Sequence, residues 1–142
     1  MMEIFWEGLK IVRVLGVTPE KIGYLAIKNG IPTIIDYFNK KVVGKIKKKY
    51  GKPKIVTATN VFAHIDNIDD LMKNILKLIE TDGIFVSESH YFLSLVNTLQ
   101  YDTIYHEHLR YYTVRSLKNI FKKYGMKIIK VKKINTHGGS IR

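Results

Sequence analysis

Between residues 11 and 89 the chain alternates short β-branched runs with stretches whose apolar residues recur at helical spacing, and this alternation limits the folds open to it. The segments "IVRVLGV" (11–17), "TIID" (33–36), "KIVTATN" (54–60) and "IFVSES" (84–89) read as strands. A single helix fits between each consecutive pair. Thr18-Pro19-Glu20 offers the first helix an N-cap, a first-turn proline and an acid, and Asn29-Gly30 stops it. Asn39 caps the second, which closes at Tyr50-Gly51. The third, 68–79, places Leu71, Met72, Ile75, Leu76 and Ile79 on one face before the Asp82-Gly83 turn. Parallel strands cannot be joined by a tight turn, and a helix supplies the crossover they need. The expected class is therefore α/β, with a mostly parallel sheet and helices on both faces. Beyond residue 112, Thr113 caps a helix carrying Leu117, Ile120, Phe121 and Tyr124, and Gly125 ends it. "MKIIKVKKI" then leads to a Thr-His-Gly-Gly-Ser turn, and Ser140, Ile141 and Arg142 read as the start of a strand.

At 142 residues and 46% hydrophobic content the chain is sized for one ordinary core, so a single domain over 1–142 is expected. No apolar run approaches the ~20 residues of a membrane span, and the start lacks the basic region and cleavage site of a secretory signal. A cytoplasmic location and no membrane partner are expected. With no cysteine, disulfides, thiolate metal sites and a cysteine nucleophile are excluded.

The net charge of +12 admits a nucleic-acid patch, an attraction to phosphorylated small molecules, or lysine-rich solvated faces. Its densest run, Lys40 to Lys54, interleaves lysines with Val42, Val43, Ile46 and Tyr50, as an amphipathic helix does. Only Arg13, Arg110, Arg115 and Arg142 stand among the 24 basic residues, which argues against a nucleic-acid reader, since such proteins favour the bidentate guanidinium.

Ligands of open α/β sheets bind at the carboxyl ends of the strands. The residues there are Thr18, then Asp36, Tyr37 and Phe38, then Asn60 to His64, then Glu88 to Tyr91. Thr18 and Asn39 are also explained as caps and Asp36 as a turn residue. His64 follows its strand closely between Phe62 and Ile65, which can desolvate it. His90 reads equally as a loop residue, and His137 as part of the Gly-Gly turn.

The stretch "YDTIYHEHLRYYT" (101–113) crowds titratable rings into a segment with neither the helical nor the strand repeat. A histidine is the ready general base near neutral pH, and a neighbouring carboxylate can orient it or raise its basicity. Tyr105 can donate to an oxygen that gains negative charge. Two other readings compete: a metal held by His106 and His108, which needs a third ligand such as His64, and a polar loop packed under the last helix.

"NVFAHI", "YDTIYHEHLRYYT" and "THGGSIR", in this order and spacing, resemble the middle of the sugar C-methyltransferases, over nearly the whole chain. The resemblance implies a Rossmann-like methyltransferase fold, S-adenosylmethionine as cofactor and a nucleotide-linked 4-keto deoxysugar as substrate. It implies that a histidine removes the proton beside the ketone and that the enolate attacks the sulfonium methyl. By position His108 is the base, Glu107 its neighbouring carboxylate, and Tyr105 and His64 the contacts to the sugar or its enolate. The residue types alone leave His108 and His106 equivalent. Asp36, Tyr37, Phe38 and Asn60 are the expected cofactor contacts, and no metal is expected.

This sequence departs from the family pattern in ways that set further expectations. It has no cysteine-bound zinc region, no Glu-Ile-Gly-x-Asn-Asp-Gly cofactor loop and no further carboxyl-terminal domain, and Thr18 stands where the family places a ribose-binding Glu after "LGV". "IFWEGLKIVRVLGV" (4–17) resembles a helix running directly into the second strand, which leaves the sheet without its first, central strand and without its last. Strands 11–17 and 54–60 must then pair directly, be joined by another chain, or leave the fold marginal. A fragment with weak or no activity alone is expected. The alternatives are a subunit completing a separately encoded half, or a basic nucleic-acid-binding module.

Overall fold

The structure, a computed structural model, describes the backbone of residues 2–8 and 11–142 and the side chains of residues 12–142. Leu9 and Lys10, within the run read above as a helix, lie outside the described residues. The chain divides into two compact units: 1–58 with 67–86, and 59–66 with 87–142. Strands β4 (Ile55–Thr59) and β5 (Ile84–His90) begin in the first and finish in the second.

The first unit holds β1 (Met2–Gly8), β2 (Ile11–Thr18), α1 (Ile22–Lys28), β3 (Thr33–Ile35), α2 (Lys40–Tyr50) and α3 (Ile68–Leu78). Its strands lie in the order β3-β2-β1-β4-β5. β2 and β3 are parallel, Gly16 opposite Thr33. The Ile84 N–H donates to Lys54 O at the start of the two strands, and the Asn60 N–H, just past β4, donates to Glu88 O of β5, so β4 and β5 also ascend together. All three helices expected between these strands and all four expected strands form, with the α/β class they imply.

The opening residues correct one expectation. Met2–Gly8 is a strand and not a helix, and it fills the slot expected to lie empty between β2 and β4. It runs against both neighbours, with Met2 opposite Val17 on one side and Ala58 on the other. Backbone pairing explains the choice: an open slot leaves two rows of inward-facing amides and carbonyls without partners, and one strand of either direction satisfies both rows.

Val42, Val43 and Ile46 of α2 bury fully against Leu15, Val17, Val56, Leu78 and Ile79, while the helix's lysines stay exposed. Asn39 caps that helix, its side-chain oxygen accepting from Val42 N at 3.0 Å. α1 starts later than expected, at Ile22, and Thr18 is buried at the end of β2 with its hydroxyl accepting from Glu20 N. On α3 the inward residues are Leu71, Met72, Ile75 and Leu78, whereas Leu76 is exposed.

The second unit carries α4 (Phe92–Asn97), α5 (Val114–Lys123), β6 (Lys133–Ile134) and β7 (Ser140–Ile141), with short 3-10 turns at 62–64, 101–103 and 136–138. Ser140-Ile141 indeed forms a strand, which pairs antiparallel with the end of β5 and with β6. Thr113 caps α5 in a reciprocal box with Ser116. Among the described residues no helix is long and apolar enough to cross a membrane.

Candidate active site

The second unit gathers the histidines because two irregular segments are stitched together over one aromatic anchor. Phe62, fully buried just past β4, meets Tyr112 edge-on at 6.0 Å and Phe121 of α5 at 6.1 Å. The Tyr112 hydroxyl donates to Phe62 O at 3.2 Å, and the Leu109 N–H donates to Ala63 O at 2.8 Å. Arg110 donates to the carbonyls of Ile65 and Asp66. These bonds carry the 101–113 stretch across the turn that bears His64. The two imidazoles end 5.0 Å apart, His64 exposed and His108 buried.

The hydrogen bonds at His108 settle its protonation pattern. A carbonyl oxygen only accepts, so His108 Nδ1, 3.0 Å from Thr103 O, carries the proton. In the neutral ring Nε2 then has a bare lone pair, and the Tyr105 hydroxyl 3.0 Å away donates to it. Tyr111 donates to the same Thr103 oxygen at 3.1 Å, which fixes that carbonyl from a second side. His64 obeys the same rule: its Nδ1 donates to Glu107 O at 2.9 Å and leaves Nε2 as an acceptor. Each ring is held in the tautomer of a base, with a backbone carbonyl and not a carboxylate as its orienting partner. Glu107 is exposed, and no described residue bonds its carboxylate. His106 is also exposed and joins none of these ring contacts among the described residues.

Two further histidines, whose roles the sequence left open, complete the group. His90 lies 5.0 Å from His108 and 5.5 Å from His137, and its buried Nε2 has no hydrogen-bond partner. The clamp that brings them together was not legible in the sequence. Glu88, 4% exposed, accepts from Arg142 Nη2 at 2.7 Å and from Thr136 Oγ1 at 3.1 Å. It thereby fastens the turn carrying His137 to the strand carrying His90. Gly139, with φ +117°, must be glycine, because a Cβ there would stand 2.8 Å from the Ser94 side chain. Among the described residues no group of three or more His, Asp or Glu is arranged to hold a metal ion.

Burial lowers the pKa of His90 below the ordinary 6.5, and positive charge on His108, His137 or His64 lowers it further. A depressed histidine means that the unfolded chain binds more protons than the folded one once pH falls below ~6.5. Stability from His90 is therefore complete above that pH and lost as pH descends through the folded value. Urea titrations at pH 7.5 and 5.5 are expected to show the second unit weaker at the lower pH, and His90→Gln to shrink that difference.

The expected cofactor contacts fall in both units. Asp36, Tyr37 and Phe38 belong to the first unit and Asn60 to the second. Phe38 packs on the first unit's core, and one Asp36 oxygen accepts from the Tyr37 N–H at 2.8 Å, in its own turn. Tyr37 is 72% exposed, and Asn60 has left-handed backbone with φ 53°. At the carboxyl edge of β2 and β4, where a cofactor loop would leave a parallel central strand, β1 presents its first residue, Met2.

Comparison with known proteins bears on the family. One curated relative, the C-methyltransferase NovU of Streptomyces niveus, is 34% identical over 130 residues. The match takes in 91% of this chain and 31% of NovU, so the chain spans about a third of that protein's length. Residues 9–131 match the methyltransferase domain family, whose members generally draw their methyl group from S-adenosylmethionine. With a match running from β2 through His64, His90 and His108 to the end of α5, this chain belongs to the methyltransferase domain family.

Proposed function

We propose that this chain carries the carbon-acid half of a C-methyl transfer to a nucleotide-linked 4-keto deoxysugar, with His108 as the base. The observation that supports this most is the tautomer: a buried imidazole with Nδ1–H tied to Thr103 O and a basic Nε2 beside a phenol. The proton on carbon next to the ketone passes to His108 Nε2. The C–H electron pair becomes the enolate double bond, and the carbonyl π pair moves onto oxygen. Tyr105 donates to that oxygen as it gains charge, and His64, 5.0 Å from His108, flanks the same space. The backbone carbonyl of Glu107 orients His64. Lysines on the surface add a positive field that favours a diphosphate-bearing substrate.

S-adenosylmethionine is the methyl donor this reading implies, and no step is assigned to it: among the described residues, the expected contacts Asp36 and Phe38 are engaged in their own turn and in the core. Isothermal titration calorimetry tests both parts. A nucleotide-linked 4-keto deoxysugar is expected to bind saturably, while S-adenosylmethionine gives no binding in the micromolar range. No heat from the sugar nucleotide would contradict the substrate reading. Micromolar binding of S-adenosylmethionine would show that the first unit does grip it.

A further inference from the structure

In the resting protein the proposed base is not free. The only basic nitrogen of neutral His108 is Nε2, and the Tyr105 hydroxyl occupies it at 3.0 Å, with the two rings stacked at a 37° tilt and centroids 4.2 Å apart. The rings of His64, His90 and Tyr111 also lie against His108, with centroids at 5.0, 5.0 and 5.9 Å. The ring is 9% exposed, whereas Tyr105 is 45% exposed and lies in a segment with no regular secondary structure. Of the two partners, the phenol is the one free to turn away.

We infer that Tyr105 is a cap on the base that only a ligand oxygen removes: the ketone oxygen takes the Tyr105 hydrogen bond from His108 and so uncovers Nε2 beside the acidic carbon. This rests on the reading of His108 as the base. One hydroxyl serves two acceptors in turn, and the exchange links recognition of the carbonyl to exposure of the lone pair. A sugar with no oxygen placed to accept from Tyr105 leaves the base covered. Tyr105 thus selects for the keto group as well as stabilising the enolate. It is a catalytic residue in both acts, because it touches the reacting oxygen.

Two measurements on the isolated chain test the cap without turnover. The first is the 15N spectrum of the His108 ring, which separates a hydrogen-bonded nitrogen lone pair from a bare one. Wild-type Nε2 is expected at the position of a bonded acceptor and Nδ1 at that of an N–H. A wild-type Nε2 signal at the position of a bare lone pair overturns the inference. The second is carbethoxylation by diethyl pyrocarbonate, in which a bare imidazole nitrogen attacks the reagent's carbonyl carbon and ethyl carbonate leaves, breaking down to ethanol and carbon dioxide. Peptide mapping is expected to show His108 modified about five- to tenfold faster in Tyr105→Phe than in wild type, the factor set by one ordinary hydrogen bond. Exposed His106 serves as the unchanged reference. Equal His108 rates in the two proteins overturn the cap. If His108 is capped and uncapped as stated but no protein exchanges the substrate's carbon-bound proton, the base assignment fails and the cap stands.

Discussion

His108→Gln is expected to slow enolisation of a 4-keto sugar nucleotide by roughly 10²–10⁴-fold, the range one positioned general base contributes. Glutamine keeps the side chain's reach and polarity and can still donate to Thr103 O, which His108 Nδ1 holds at 3.0 Å. It has no basic nitrogen. The effect should therefore appear in the rate constant for removing the carbon-bound proton, with substrate affinity little changed. His106→Gln is the matched control: it sits two positions away, is exposed and stands outside the ring contacts among the described residues. Its rate is expected to match wild type within about twofold. A reversal, with the larger loss at position 106, would reassign the base.

The second large effect concerns the anchor beneath the site. Phe62→Ala removes a fully buried ring from between Tyr112 and Phe121, and large-to-small changes of this kind cost about 3–5 kcal/mol. The loss should fall on the second unit, seen as lower hydrogen-exchange protection in α5 and in residues 59–66, with the α2 and β2 amides of the first unit protected as before. Function should fall too, because the turn that positions His64 begins at this ring. A loss under about 1 kcal/mol by urea titration would mean that Phe62 does not hold the two segments together.

Much of the architecture is legible in the sequence where a period exists to read. Strands 11–17, 33–36, 54–60 and 84–89 and the helices between them carry alternating or 3.6-residue patterns, and the turns after them carry Gly, Asn and Asp. Legibility ends where long-range contacts choose among local options. The opening of "IFWEGLKIVRVLGV" was read as helical by resemblance, yet Met2–Gly8 is a strand because β2 and β4 each present an unpaired row to it, and Ala58 is distant in sequence. Thr18 has the chemistry of a cap, but burial at the end of β2 fixes it there and the helix begins at Ile22.

The same distinction runs through the site. That His64 and the 101–113 stretch are the candidates for the working groups followed from residue types and, for His64, from its place after a strand. Which of His106 and His108 turns inward did not, because that stretch has no period and the choice is made by Thr103 O, Tyr105 and Tyr111. Glu107 was expected to orient the base with its carboxylate; the bonds to both histidines come instead from main-chain oxygens, which a sequence does not display. The Glu88–Arg142 pair joins residues 54 positions apart and gave no local signal.

The most direct test of His108 as a carbon-acid base is deuterium entry into the substrate with the unaltered chain and no methyl donor. Incubated in D2O with a nucleotide-linked 4-keto deoxysugar, the protein is expected to place deuterium on the carbon beside the ketone faster than buffer does, and at no other carbon, as proton NMR of the sugar would report. Exchange no faster than in buffer alone would contradict it.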